Sequence, residues 1–191
     1  MVLRHVCFTV SLIAAALLVA SPARADESQT RLAQSKETWL KLRDAAGGNY
    51  EYDVGFQSWT GNGHTTTILA RGNKVVERRF RKFNRQQAAV HAIGPDGREV
   101  PQPRPVDESW TETAEQLGAH QGAAPAKTID DLYADAEKVL AGPRQPHEKL
   151  YLIFHADGVL KGCFVVDTRI ADDAPRQGPA IDAVRLSDGA K

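Results

Sequence analysis

Between residues 128 and 143 the chain admits one regular structure. Ile129, Leu132, Tyr133, Ala136, Val139 and Leu140 recur at i, i+3, i+4, i+7, i+10 and i+11, an apolar stripe at helical spacing. Thr128-Ile129-Asp130-Asp131 caps the stripe and places two carboxylates in the first turn, where they meet the positive end of the helix dipole. Gly142-Pro143 ends it. The period then changes. Lys149 to His155 is a nearly continuous apolar strand, Asp157-Gly158 is a two-residue hairpin signal, and Val159 to Asp167 is the return strand. A helix apolar on one side, followed directly by a hairpin, needs a sheet on which to bury that side.

The first half repeats the arrangement. Residues 28 to 46 predict a helix with Leu32, Trp39, Leu40 and Leu42 as its apolar stripe and Gly47-Gly48 as its stop. Tyr50, Tyr52, Val54 and Phe56 alternate with polar or small residues, the period of a strand with one apolar face. Thr60-Gly61-Asn62-Gly63 predicts a turn, Thr65 to Ala70 a second strand, Gly72-Asn73 a tight hairpin and Lys74 to Phe83 a third strand. Residues 86 to 127 are rich in Pro, Gly, Ala and Gln and predict a less ordered connector. Within it Ala88 to Ile93 suits a strand, and the capping-box spacing of Ser109 and Glu112 predicts a short helix to about His120. Ile181 to Leu186 suits an edge strand. The expected fold class is therefore α+β, an antiparallel sheet with helices packed on one face, built from two helix-plus-hairpin halves. Whether the halves share one sheet or form two is open.

The N-terminus has the order of a secretory signal: Arg4 and His5, then an uncharged run from Val6 to Ala20, then Ala23-Arg24-Ala25 in the small-x-small pattern. The apolar run is shorter than the roughly 20 residues of a membrane-spanning helix. Cleavage after Ala25 is expected, leaving residues 26–191 as a single periplasmic or extracellular domain with no membrane span. The whole chain balances 24 basic against 24 acidic residues. The signal carries Arg4 and Arg24 and no acid, so processing leaves the chain two charges negative. That balance gives no general attraction to nucleic acid. Only Cys163 survives processing, so no internal disulfide is available and the fold rests on its core. Its apolar neighbours predict a buried thiol.

Trp39 in the first helix, Tyr50 and Tyr52, Gly72 with Val75, Thr128 to Tyr133, and Ile170-Ala171-Asp172-Asp173 occur in this order along the chain. On these residues it resembles a bacterial family of exported proteins classed as a domain of unknown function. That family has a signal peptide, a Trp-bearing helix, a Tyr-x-Tyr strand, a Thr-Ile-Asp-Asp-Leu helix and an Ile-Ala-Asp-Asp stretch. The chain departs from it in lacking paired Cys after the Tyr-x-Tyr strand, and in having Gly158-Val159-Leu160 where the family has Gly-Tyr-Pro. The resemblance implies no activity.

No motif commits the chain to a reaction. His64, His91, His120, His147 and His155 lack helical zinc spacing, and no nucleophile elbow, phosphate loop or cofactor motif is present. Asp167, Asp172 and Asp173 make an acidic corner without the alternation of a calcium loop. The one local charge anomaly is residues 77 to 85, where Arg78, Arg79, Arg81, Lys82 and Arg85 interleave with Phe80 and Phe83. These five cations are the candidate binding residues, for a protein or a polyanionic envelope ligand; the plain alternative is a solvated edge strand kept soluble by charge. The expected function is non-catalytic binding of an envelope or extracellular macromolecule. The rival is an enzyme assembled from scattered residues, with Tyr50, His64 or Cys163 as candidates.

Overall fold

The computed structural model describes residues 22–84, 91–93, 96, 98–101, 106–170 and 174–187. Among the described residues two helices, α1 (Pro22–Ala45) and α2 (Ile129–Ala141), accompany nine strands: β1 (Tyr50–Gln57), β2 (Asn62–Arg71), β3 (Lys74–Asn84), β4 (His91–Ile93), β5 (Glu99–Pro101), β6 (Val106–Thr113), β7 (Glu148–Phe154), β8 (Leu160–Asp167) and β9 (Ala183–Leu186). Five strands form one antiparallel sheet in the order β6-β3-β2-β1-β9. β7 and β8 form a separate hairpin, and so do β4 and β5. This is the expected α+β class; the first half's main sheet and the β7–β8 hairpin are separate sheets, with β9 of the second half joining the former. Among the described residues no helix is long and apolar enough to cross a membrane.

The core lies where the helices meet the sheet. Leu32 and Trp39 of α1, Tyr50 and Tyr52 of β1, Ile68 of β2 and the α2 stripe are buried together with Val159, Leu160 and Cys163 of the hairpin. The α2 cap forms as its sequence dictates: Thr128 accepts from the Asp131 N–H, and the Asp131 carboxylate accepts from the Thr128 N–H. The Gly72-Asn73 turn has positive φ at both residues, 53° and 58°, the geometry whose twist matches two antiparallel strands.

Asp130 gathers the elements that local sequence specifies separately. It accepts from Trp39 Nε1 at 2.6 Å, from Asn73 Nδ2 at 2.7 Å and from Arg43. Tyr50 donates to Asn73 Oδ1 at 2.9 Å and accepts from the Ile129 N–H at 3.2 Å. One carboxylate thus ties α1, the β2–β3 turn and α2 together. Gly48 lets that turn approach: its carbonyl accepts from the Asn73 N–H at 2.8 Å, and a Cβ there would lie 2.6 Å from the same nitrogen. Several residues on which the family resemblance rests meet at this point, where their work is structural. Ala171 to Asp173 lie outside the described residues.

The expected helix from Ser109 to about His120 is corrected. Residues through Thr113 belong to β6, and only a short 3-10 turn, Ala114–Gln116, follows. The β3 edge is long enough to pair with β6 from Glu77 opposite Thr113 to Phe83 opposite Val106. Glu112 does not fold back on its own helix; it is buried against Arg78 of β3. Residues 88 to 90 of the expected fourth strand lie outside the described residues, and 91–93 form β4.

Candidate functional site: an aromatic cleft between the sheet and the hairpin

A cleft of about 1080 Å³ opens between the far end of the five-stranded sheet and the β7–β8 hairpin. Strand pairing builds the sheet face beside it, from which Phe56, His64 and Thr66 line the opening. Phe56, His64 and Lys82 stand opposite one another on β1, β2 and β3 and so share a face. One step along the same face come Thr66, Phe80 and Trp110. The rings form a continuous run: Phe56 to His64 at 5.7 Å, His64 to Phe80 at 5.5 Å, Phe80 to Trp110 at 5.1 Å and Trp110 to His120 at 4.3 Å. Phe80 is buried, whereas Phe56 is 48% exposed and faces the opening.

The opposite wall is the hairpin. Tyr151 and Phe164 pair across β7 and β8, with ring centroids 5.5 Å apart. The Arg176 guanidinium lies 5.1 Å from the Phe164 ring centroid and has no carboxylate partner among the described residues. Ile153 and Ile170 expose apolar surface at the rim, and Trp59, in the β1–β2 turn, is 80% exposed. His64 is the imidazole of the cleft. Burial, and then the Lys82 charge, hold its pKa below the usual histidine value, so it is neutral at neutral pH.

A buried ion pair sets the position of the third wall. Arg78 Nε and NH2 donate to the two Glu112 oxygens at 2.8 Å each. Its remaining donors reach the carbonyls of Ala124 at 2.9 Å and His120 at 2.8 Å. Glu112 also accepts from the N–H groups of Gly118 at 2.7 Å and His120 at 2.6 Å. The loop from Gly118 to Ala124 is thereby pinned to the sheet, and its residues Gly122, Ala123 and Ala124 line the cleft.

Of the five candidate cations, the four on β3 are not brought to one surface. Arg78 is 2% exposed and engaged as described, which corrects its reading as a binding cation. Arg79 lies on the opposite sheet face from Phe56, paired with Glu51 at 3.1 Å and Glu77 at 2.6 Å. Arg81 shares that face and is exposed. Lys82 is exposed on the cleft side. Arg85 lies outside the described residues. Arg78 is balanced by Glu112 of β6, and Arg79 by Glu77 of its own strand and Glu51 of β1, so a linear reading of charge overstated the strand.

The rival catalytic residues are also dispersed. Tyr50 is buried at the other end of β1 from Phe56. Cys163 is buried with its Sγ 3.6 Å from the Ala136 carbonyl, and burial pushes its pKa up to about 11, so the thiol is protonated and unreactive. Only His64 of the three lines the cleft. Asp167 is held down to about 2, first by its hydrogen bonds with Arg169; Asp172 and Asp173 lie outside the described residues. Among the described residues no group of three or more His, Cys, Asp or Glu is placed to hold a metal ion. The sequence reading missed the cleft altogether. Its one local signal was the alternation that carries Phe56 beyond the buried half of β1. No protein-family model matches the chain, and no curated protein or solved structure does either, so the reading of this site rests on its geometry.

Proposed function

We propose that the chain is an exported, non-catalytic binding domain, released after Ala25 into the periplasm or extracellular space, that holds an envelope or extracellular macromolecule in the cleft. The observation that carries this reading is the cleft itself: an opening with ring faces on two walls and exposed apolar residues at its rim. Contiguous apolar exposure of this kind marks interaction surfaces. The chemistry inside supports binding over turnover. His64 is neutral, and among the described residues that line the cleft there is no cysteine or serine to pair with it, whereas an enzyme assembled from scattered residues would need Tyr50 or Cys163 to reach it.

The test uses protein beginning at Asp26, mixed with the envelope fraction of the producing cell and sedimented. The wild-type domain is retained. Phe56→Ala with Ile153→Asp, both at partly exposed positions, leaves the melting temperature nearly unchanged and releases the protein. Retention of this variant at the wild-type level would remove the cleft from the proposal.

A further inference from the structure

The cleft has an open strand edge in its wall. β9 pairs with β1 only from Tyr50 to Asp53. The polar backbone groups of successive strand residues point alternately to the two edges. The Asp53 carbonyl accepts from the Asp182 N–H at 2.8 Å and the Asn49 carbonyl from the Ser187 N–H at 3.0 Å, which places the odd-numbered residues of β1 on its outer edge. The Ser58 N–H donates the other way, to Asn62 at 2.8 Å, in agreement. Gly55 and Gln57 therefore carry both N–H and C=O outward beyond the point where β9 ends, and no strand among the described residues pairs with them there. Both residues line the cleft.

The side chains around this edge are sorted by face. On the Phe56 face stand the aromatic run and Lys82, and across the cleft Arg176 lies on Phe164. On the other face the Asp182 carboxylate approaches Gly55 so closely that a Cβ there would lie 2.6 Å from Oδ2. The Phe56 face is thus apolar with cations.

We infer that the cleft takes an extended peptide, which adds as a strand to β1 beside Val54–Gln57 in continuation of β9. This rests on the reading of the cleft as the binding site and names its ligand class. The peptide residue opposite Phe56 is apolar and packs between the two aromatic walls. An acidic residue two positions away faces Arg176 across the cleft. A saccharide stacked on the rings would leave the Gly55 and Gln57 main-chain groups unpaired; a peptide strand uses the rings and the edge together.

Random heptapeptides displayed on phage, panned on protein beginning at Asp26, should yield sequences alternating an apolar residue with Asp or Glu. The selected peptides are then synthesised and titrated calorimetrically. Gln57→Pro removes the outward N–H and fills the edge, and should weaken binding at least about tenfold, whereas Gln57→Ala should change it less than about twofold. Arg176→Gln should weaken acidic peptides and leave their amide analogues unchanged. N-methylation of the peptide probes the same bonds on unaltered protein: alternate amides should lose about tenfold and the others little. Selected peptides indifferent to Gln57→Pro and to N-methylation overturn the inference. So does a selection that yields nothing above a blank, or a dimer of the chain that Gln57→Pro dissolves. Phe56-dependent retention on envelopes without peptide binding sinks the strand inference alone. Loss of both sinks the cleft as a binding site.

Discussion

Arg78 and Glu112 show how much a single buried pair can decide. Transfer of two charges out of water is costly, and their attraction compensates only when the remaining donors and lone pairs are also satisfied. Here they are: the guanidinium makes a two-pronged contact with the carboxylate and reaches two carbonyls, with its Cζ 5.0 Å from the Trp110 ring centroid. Removal of one partner should therefore be worse than removal of both. Arg78→Met leaves a buried carboxylate without its counter-ion and should cost about 3–5 kcal/mol. Arg78→Met combined with Glu112→Leu should recover much of that loss. Chemical denaturation of the two variants checks this, and a double variant no more stable than the single one would show that the loop bonds matter more than the charge. The same pair predicts an acid limb. Hydrogen bonds from Arg78, chiefly, hold the Glu112 carboxyl well below the usual range. A depressed carboxyl pKa stabilises the fold above its unfolded value, and that stability is lost as pH falls below about 4.3 toward the folded value. Melting temperature measured from pH 6 to pH 2 should fall on that limb, with a shallower slope in the double variant. Equal slopes would assign the limb to the other ion-paired acids.

At the scale of the element, legibility follows the range of the forces involved. α2 was readable because its cap, stripe and stop all lie within its own stretch of chain. The Gly72-Asn73 and Asp157-Gly158 turns were readable for the same reason, and with them the strands they join. β6 was not. Ser109 and Glu112 have the spacing of a capping box, but the partner that claims Glu112 lies 34 positions away on β3. Buried pairing with a distant arginine outweighs a local cap that would leave that arginine alone. The cleft was invisible for a related reason: it exists where β9 stops and the hairpin begins, and neither end is written in the residues that line it. The readable element also gives the firmest stability prediction. Leu132 is 6% exposed, in the middle of the α2 stripe. Leu132→Ala should cost about 2–5 kcal/mol, the range for truncating a buried leucine. A thermal melt giving less than about 1 kcal/mol would mean that the site collapses around the alanine and is looser than its burial implies.

The whole molecule has to join the five-stranded sheet to the β7–β8 hairpin, which share no strand. One device does this directly and a second does it through the helices packed on the larger sheet. The first is the segment from Gln177 to Asp182, which bonds to β8 on one side and to β1 on the other. The Cys163 N–H donates to Pro179 at 3.0 Å, the Ile181 N–H to Lys161 at 2.8 Å and the Asp182 N–H to Asp53 at 2.8 Å. Gly178 permits this passage, since a Cβ there would lie 2.2 Å from the Cys163 carbonyl oxygen. The second is the Tyr133 hydroxyl. It accepts from the Leu160 N–H at 2.9 Å, lies 2.7 Å from the Ser35 hydroxyl and donates to the Ser35 carbonyl at 3.1 Å, so one oxygen joins α2, α1 and the start of β8. Burial, first, raises its pKa, so it stays a phenol and keeps its proton to donate. Tyr133→Phe keeps the ring and removes only the link. It leaves a buried N–H and the Ser35 hydroxyl short of a partner, which should cost about 1–3 kcal/mol. The bonds from residues 177–182 remain, so unfolding should stay a single transition at a lower midpoint. Amide hydrogen exchange should show the difference by region: protection should fall more in β7 and β8 than in β1 to β3. An equal fall in both would mean the hydroxyl contributes only to global stability. Unchanged protection in the hairpin would mean that residues 177–182 hold the two sheets together without it.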